Sequence, residues 1–129
     1  MIGVRLADEP GAPCWYELVT HDVARATRFY ADFFGWTPTE KNIPTVGPYT
    51  VARLGEQAAV GLMSIPKEWG TWAARWQVNF AVADCARGVS EAVSLGGRVI
   101  TGPNRVPETG TFAVLADPLD AVFVIFELP

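Results

Sequence analysis

The residues able to do chemistry are few in this chain of 129 residues, and their spacing groups them. Glu17 lies in the short β-prone run 15–20 (WYELVT), and Gln77 and Asn79 lie two apart in a second such run, 77–82 (QVNFAV). Side chains alternate across a strand, so Trp15, Glu17 and Val19 share one face, as do Gln77, Asn79 and Ala81. A carboxylate and two carboxamides on otherwise apolar faces are costly unless they pair with one another, meet water or orient a ligand. Glu17 is the candidate general base, the catalytic choice if there is catalysis. The single histidine, His21, excludes any mechanism that needs two or three histidines from one chain. Cys14 and Cys85 form neither a CxxC pair nor a dense disulfide framework and read as plain thiols. No GxSxG elbow, P-loop or GxGxxG fingerprint is present.

The five tryptophans are the second signal. Some serve as core, but an aromatic wall also suits a flat or hydrophobic organic molecule. Trp15, Trp36 and Trp72, with Gln77 and Asn79, are the ligand-binding candidates. Arg53, Arg75, Arg98 and Arg105 could meet an anionic group, and otherwise read as solvated surface charges.

These residues need elements to position them. Asp22 and Asp84 each follow a strand run and stand where a helix N-cap belongs. The first helix reads as 23–34, with Ala26, Phe29, Tyr30, Phe33 and Phe34 at three- and four-residue spacing. The second reads as 85–95, with Val89, Ala92, Val93 and Leu95 apolar. Gly35 and Gly96-Gly97 end them, because glycine takes the left-handed C-cap conformation without penalty. Three strand candidates follow each helix: 36–40, 49–54 and 58–65, then 98–101, 111–117 and 121–128. Pro44, Gly47-Pro48, Pro103-Asn104, Pro107 and Gly110 read as turn residues, and 117–120 (DPLD) as a tight turn.

The same punctuation recurs at a fixed offset of 62 residues: Asp22 with Asp84, Ala24 with Ala86, Arg25 with Arg87, Gly35 with Gly97, Ala59 with Ala121 and Val60 with Val122. The expected fold is α+β: two tandem βαβββ units forming a cupped, mainly antiparallel sheet with the helices outside. One domain is expected over 1–129, with units at about 13–65 and 76–128 and a linker at about 66–75.

Composition narrows the function classes. Hydrophobic residues make up 50% and charged residues 19%, enough for a packed core. A net charge of −4 with ten scattered Lys and Arg residues argues against a nucleic-acid partner. No apolar run approaches the roughly 18–20 residues that span a bilayer. Residues 1–10 lack the basic start and apolar stretch of a secretory leader, which points to the cytoplasm.

Two βαβββ units in this length resemble one module of the vicinal oxygen chelate superfamily, which includes glyoxalase I, bleomycin-resistance proteins, fosfomycin-resistance enzymes and extradiol dioxygenases. The residues that carry the resemblance are Asp22, Phe29-Tyr30 and Phe34-Gly35-Trp36 in the first unit. In the second they are Leu95-Gly96-Gly97-Arg98-Val99 and the run 112–118 (FAVLADP). The opening PGAPCWYEL and the phrase VGLM are similar to an actinobacterial-type subgroup whose members often carry two modules per chain.

The resemblance implies a divalent metal held by His, Gln or Glu from the first and last strands of each unit. The family's first-strand positions, seven residues before each capping Asp, are Trp15 and Gln77 here. Its last-strand position, seven after the Asp of the Asp-Pro turn, is Val124, with Leu62 as its mate at the 62-residue offset. Only Gln77 is a donor, and a first-row divalent site wants three or four. His21 precedes the helix cap outside the strand register, and Glu127 is out of phase with position 124. No metal and no other cofactor is expected.

The leading expectation is a protein that binds a small, partly aromatic organic ligand without metal, as bleomycin-resistance-like members of the superfamily do. The alternatives are a glyoxalase-like lyase, isomerase or other small-molecule enzyme using Glu17 and Gln77, and a regulatory or interaction protein with a degenerate site. A homodimer is expected, because single modules of the superfamily commonly pair, open edge strands invite partners, and Trp69 and Trp72 offer apolar surface.

Overall fold

The computed structural model describes residues 9–69 and 72–129. Residues 1–8, part of the leader reading, and Gly70 and Thr71 of the linker lie outside the described residues. The elements run β1 (Pro13–Thr20), α1 (Val23–Phe34), β2 (Thr37–Ile43), β3 (Gly47–Leu54), β4 (Gln57–Ser64), a short 3-10 turn (Lys67–Trp69), β5 (Arg75–Ala81), α2 (Cys85–Ser94), β6 (Arg98–Val106), β7 (Gly110–Ala116) and β8 (Val122–Glu127). The βαβββ order is thus found twice. Four strand pairs are antiparallel and two, β1 with β4 and β5 with β8, are parallel, as an α+β fold with a mainly antiparallel sheet requires. No helix among the described residues is long and apolar enough to cross a membrane. The chain divides into two compact units: Tyr16–Gln77, and the residues up to Trp15 together with Val78–Pro129. The division cuts β1 after Trp15 and β5 after Gln77, so neither unit coincides with one βαβββ repeat.

In the Tyr16–Gln77 unit the strand order is β2-β3-β4-β1. The Asp22 carboxylate accepts from the Arg25 amide at 3.0 Å and starts α1, and Gly35, at φ 76°, stops it. Leu18, Ala52 and Leu62 form the core beneath Val23, Ala26 and Tyr30 of α1, with Trp36 and Val60 packed against it. Phe29, Phe33 and Phe34 share the three- and four-residue apolar spacing of Ala26 and Tyr30, but they are 59%, 70% and 49% exposed. The strands are contacted by the row through positions 23, 26 and 30, so the neighbouring row through 29 and 33 faces solvent. Because Leu18 faces α1, alternation turns Glu17 and Val19 to the opposite side of β1. The registers Glu17–Gly61 and Val51–Gly61 put Gly61 and Val51 on that side too, and with Val51 goes Tyr49.

In the other unit the order is β5-β8-β7-β6. The amide of Gly11 and carbonyl of Ala12 bond to Ala81, both at 2.8 Å. Asp84 caps α2 by accepting from Arg87, and Gly96 (φ 96°) with Gly97 closes it: the Gly97 amide reaches back to the Ala92 carbonyl at 2.9 Å. Cys85, Ala113, Leu115 and Ile125 form the core under α2. Asp117 closes the tight turn, its carboxylate accepting from the amides of Leu119 and Ala121. Glu127 accepts from the Cys85 amide at 2.7 Å on the α2 side of β8, out of phase with Val124 as expected.

Two expectations are corrected. β6 extends to Val106, so Pro103 and Asn104 lie within a strand whose pairing with β7 shifts register between Val99 and Thr101 and again between Thr101 and Asn104. Proline has no amide to donate, and this edge strand absorbs it as irregular pairing. The repeat offset also changes along the chain. Glu17 pairs with Gly61, and its counterpart Asn79 pairs with Val124, so the mate of Val124 is Gly61 and not Leu62. The matches of Ala59 with Ala121 and Val60 with Val122 are coincidental. A slip of one residue reverses every face, and Leu62 accordingly lies in the core under α1.

Candidate functional site

The Tyr16–Gln77 unit builds a buried polar line across its strands. Glu17 on β1 is 8% exposed, and both of its oxygens accept hydrogen bonds. The Tyr49 hydroxyl donates to Oε1 at 2.7 Å and the Gln77 side-chain amide donates to Oε2 at 2.9 Å. The oxygen of the same amide accepts from Arg75 Nη2 at 3.3 Å. Those neighbours fix the orientation of Gln77: a flipped amide would point oxygen at the carboxylate and nitrogen at the guanidinium.

Arg75 is held from below. Its guanidinium carbon lies 3.8 Å over the centroid of the Trp72 ring, a cation–π contact. His21 Nε2 donates to the Trp72 carbonyl at 2.6 Å and ties that residue to the junction of β1 and α1. Trp69 packs beside Trp72 with ring centroids 5.5 Å apart. Burial lowers the Arg75 pKa from its ordinary value, because a partly desolvated guanidinium loses stabilisation of its charge.

The structure brings Glu17, Gln77 and, through Arg75, Trp72 together. It places Trp36 elsewhere, in the cluster under α1, with its ring 5.8 Å from Tyr30 and 6.3 Å from Trp76. Trp15 is half-buried and Asn79 is buried opposite Val124, both in the other unit. Sequence reasoning missed Tyr49, and the signal for it was Gly61. A Cβ at Gly61 would collide with the Tyr49 phenol, so glycine is what lets the ring cross β4 and reach Glu17. His21 stands before the helix cap, outside the strand register. It is exposed as expected, with the added task of anchoring Trp72.

The donors do not fit the metal that the fold family implies. At the four strand positions, with the register corrected, stand Trp15, Gly61, Gln77 and Val124. Three have no side chain that ligates a metal, and both ends of the Gln77 amide are engaged by Arg75 and Glu17. Among the described residues no group of three or more His, Cys, Asp or Glu could hold an ion.

The sequence model of the glyoxalase-like domain family matches residues 16–126, and the chain belongs to that family. The resemblance to the vicinal oxygen chelate superfamily holds with it. CFP32 of Mycobacterium tuberculosis, provisionally named a glyoxylase, is 34% identical over 126 residues, 98% of this chain and 48% of CFP32. The anthracycline biosynthesis protein DnrV of Streptomyces peucetius is 34% identical over 129 residues, 91% of this chain and 47% of DnrV. The chain thus spans about half the length of the curated relatives it matches. Methylmalonyl-CoA epimerase of M. tuberculosis superposes with a TM-score of 0.61 at 17% identity, over 100% of this chain and 93% of the epimerase, a likeness of fold.

Proposed function

We propose that this chain binds a small, partly aromatic organic molecule without a metal, with Glu17 and Gln77 orienting its polar group and Trp72 supplying aromatic surface. The observation that carries the reading is the Glu17 carboxylate, buried and aimed by Tyr49 and Gln77. A core built for stability alone is at least as well served by apolar residues of the same shape. Two further facts support the reading: the adjacent rings of Trp69 and Trp72, and a relative named for anthracycline biosynthesis. Titrating the purified protein with a panel of planar aromatic compounds, read by tryptophan fluorescence with and without EDTA, tests the reading. Saturable quenching insensitive to EDTA supports it, and no saturable quenching across the panel overturns it.

An enzyme version uses the same residues. Glu17, held by Tyr49 and Gln77, is the carboxylate that would take a proton from a bound substrate as general base. The provisional naming of CFP32 as a glyoxylase favours it. Turnover lost in Glu17→Gln with ligand binding retained separates this version from simple binding.

The assembly proposed is a homodimer in a soluble, cytoplasmic setting. The exposed rings of Phe29, Phe33 and Phe34 offer apolar surface for it. Light scattering at twice the 14.0 kDa chain mass supports the dimer, and a monomer at working concentration overturns it.

A further inference from the structure

Arg75 is half-buried, with its Nε out of contact with water, and has no counter-ion. Among the described residues the one ion pair joins Arg98 to Asp120 at the surface, and no carboxylate lies within ion-pair distance of Arg75. Its Nε is buried with no hydrogen-bond partner, Nη2 makes a long 3.3 Å bond to Gln77, and the flat face rests on Trp72. A partly desolvated cation in that state lacks a charged partner. An oxyanion meeting the Nη groups supplies one, because the planar guanidinium matches carboxylate or phosphate oxygens with two N–H donors.

We propose that Arg75, seated on Trp72, is the subsite for an oxyanion group, carboxylate or phosphate, of the bound aromatic molecule. The inference rests on the ligand-binding reading above and adds the ligand's charge to it. The arrangement also gives the ligand a direction. Gln77 is a neutral spacer between Arg75 and Glu17, so the acidic group sits at the Arg75 end, away from the Glu17 carboxylate that would repel it. The Glu17 end is left for a group that donates a proton or hydrogen bond, such as a hydroxyl.

The test compares 2-naphthoate, its neutral isostere 2-naphthamide and inorganic phosphate, at constant ionic strength. Binding is read by tryptophan quenching and by the shift in Tm, in the wild-type chain and in Arg75→Gln and Arg75→Met. The wild type is expected to bind naphthoate about tenfold more tightly than naphthamide. Both variants should lose that preference, so that the ratio of naphthoate to naphthamide affinity falls to about one. Equal binding of the two naphthyl probes by the wild type overturns the proposal, whether or not the variants fold. So does a preference for naphthoate that survives in Arg75→Gln. Naphthamide bound without naphthoate leaves the ligand-binding reading standing and removes the oxyanion subsite. Phosphate raising the Tm of the wild type but not of Arg75→Gln, with neither naphthyl probe bound, keeps the subsite and removes the aromatic ligand. No effect of any probe removes both.

Discussion

The Tyr49 hydroxyl donates to Oε1 of Glu17 at 2.7 Å although β4 lies between their strands. The crossing is made over Gly61, where any Cβ would occupy the space of the phenol. One missing side chain on the middle strand thus sets the position of a carboxylate on the next.

Two substitutions test that relationship. Tyr49→Phe removes a hydrogen bond to an acidic group and should cost about 1.5–3 kcal/mol in urea denaturation. Gly61→Ala overpacks the crossing and should cost about 1–3 kcal/mol. In a Tyr49→Ala background, with the ring gone, Gly61→Ala should cost much less. Equal costs in both backgrounds would mean that the ring does not depend on the glycine.

Cys85 gives a pH dependence. Its thiol lies at the start of α2, where a helix N-terminus ordinarily favours the thiolate. Burial wins, with Glu127 and Asp84 adding like charge, and the pKa rises from 9.0 to about 11. The folded chain therefore holds this proton more tightly than the unfolded one. The stability it contributes is fully present below about pH 9 and is lost as pH rises towards about 11, a change on the order of 2 kcal/mol. Urea melts at about pH 8 and about pH 10.5, either side of the ordinary thiol pKa, should show this loss in the wild type and a smaller one in Cys85→Ala. Iodoacetamide at the lower pH should leave native Cys85 unmodified.

Most of the fold was legible in local signals. Asp22, Asp84, Gly35 and Gly96 are helix ends whose chemistry is contained in a few residues, and all four act as read. Pro103 was misread because a turn and an irregular edge strand use the same residue types. The register of the last strands was not legible, since sliding by one residue leaves an apolar run looking apolar while exchanging Gly61 for Leu62 on the Glu17 side. The pairing of Glu17 with Gln77 followed from strand alternation and the repeat. Tyr49 did not, because it reaches Glu17 from β3, 32 residues further along the chain. Trp36 could not be separated from a ligand-facing tryptophan, because its side of the sheet is decided by packing with Tyr30, not by its own neighbours in sequence.

Metal removal should change nothing. With Trp15, Gly61 and Val124 at three of the four strand positions, dialysis against EDTA should leave both Tm and the quenching titration as they were. Stoichiometric zinc, nickel, iron or manganese in the purified protein, lost together with ligand binding on chelation, would contradict that donor analysis.

The central claim is that the buried Glu17–Gln77 pair orients a ligand, and Glu17→Gln tests it most directly because it keeps the shape and removes the charge. One titration, with whichever planar aromatic compound quenches the wild type, is run on the variant alongside its thermal melt. Ligand orientation predicts weakened binding or turnover in a chain that melts close to the wild type. A purely structural pair predicts the reverse: stability lower by about 1–3 kcal/mol and unchanged affinity in the folded fraction, which would contradict the account.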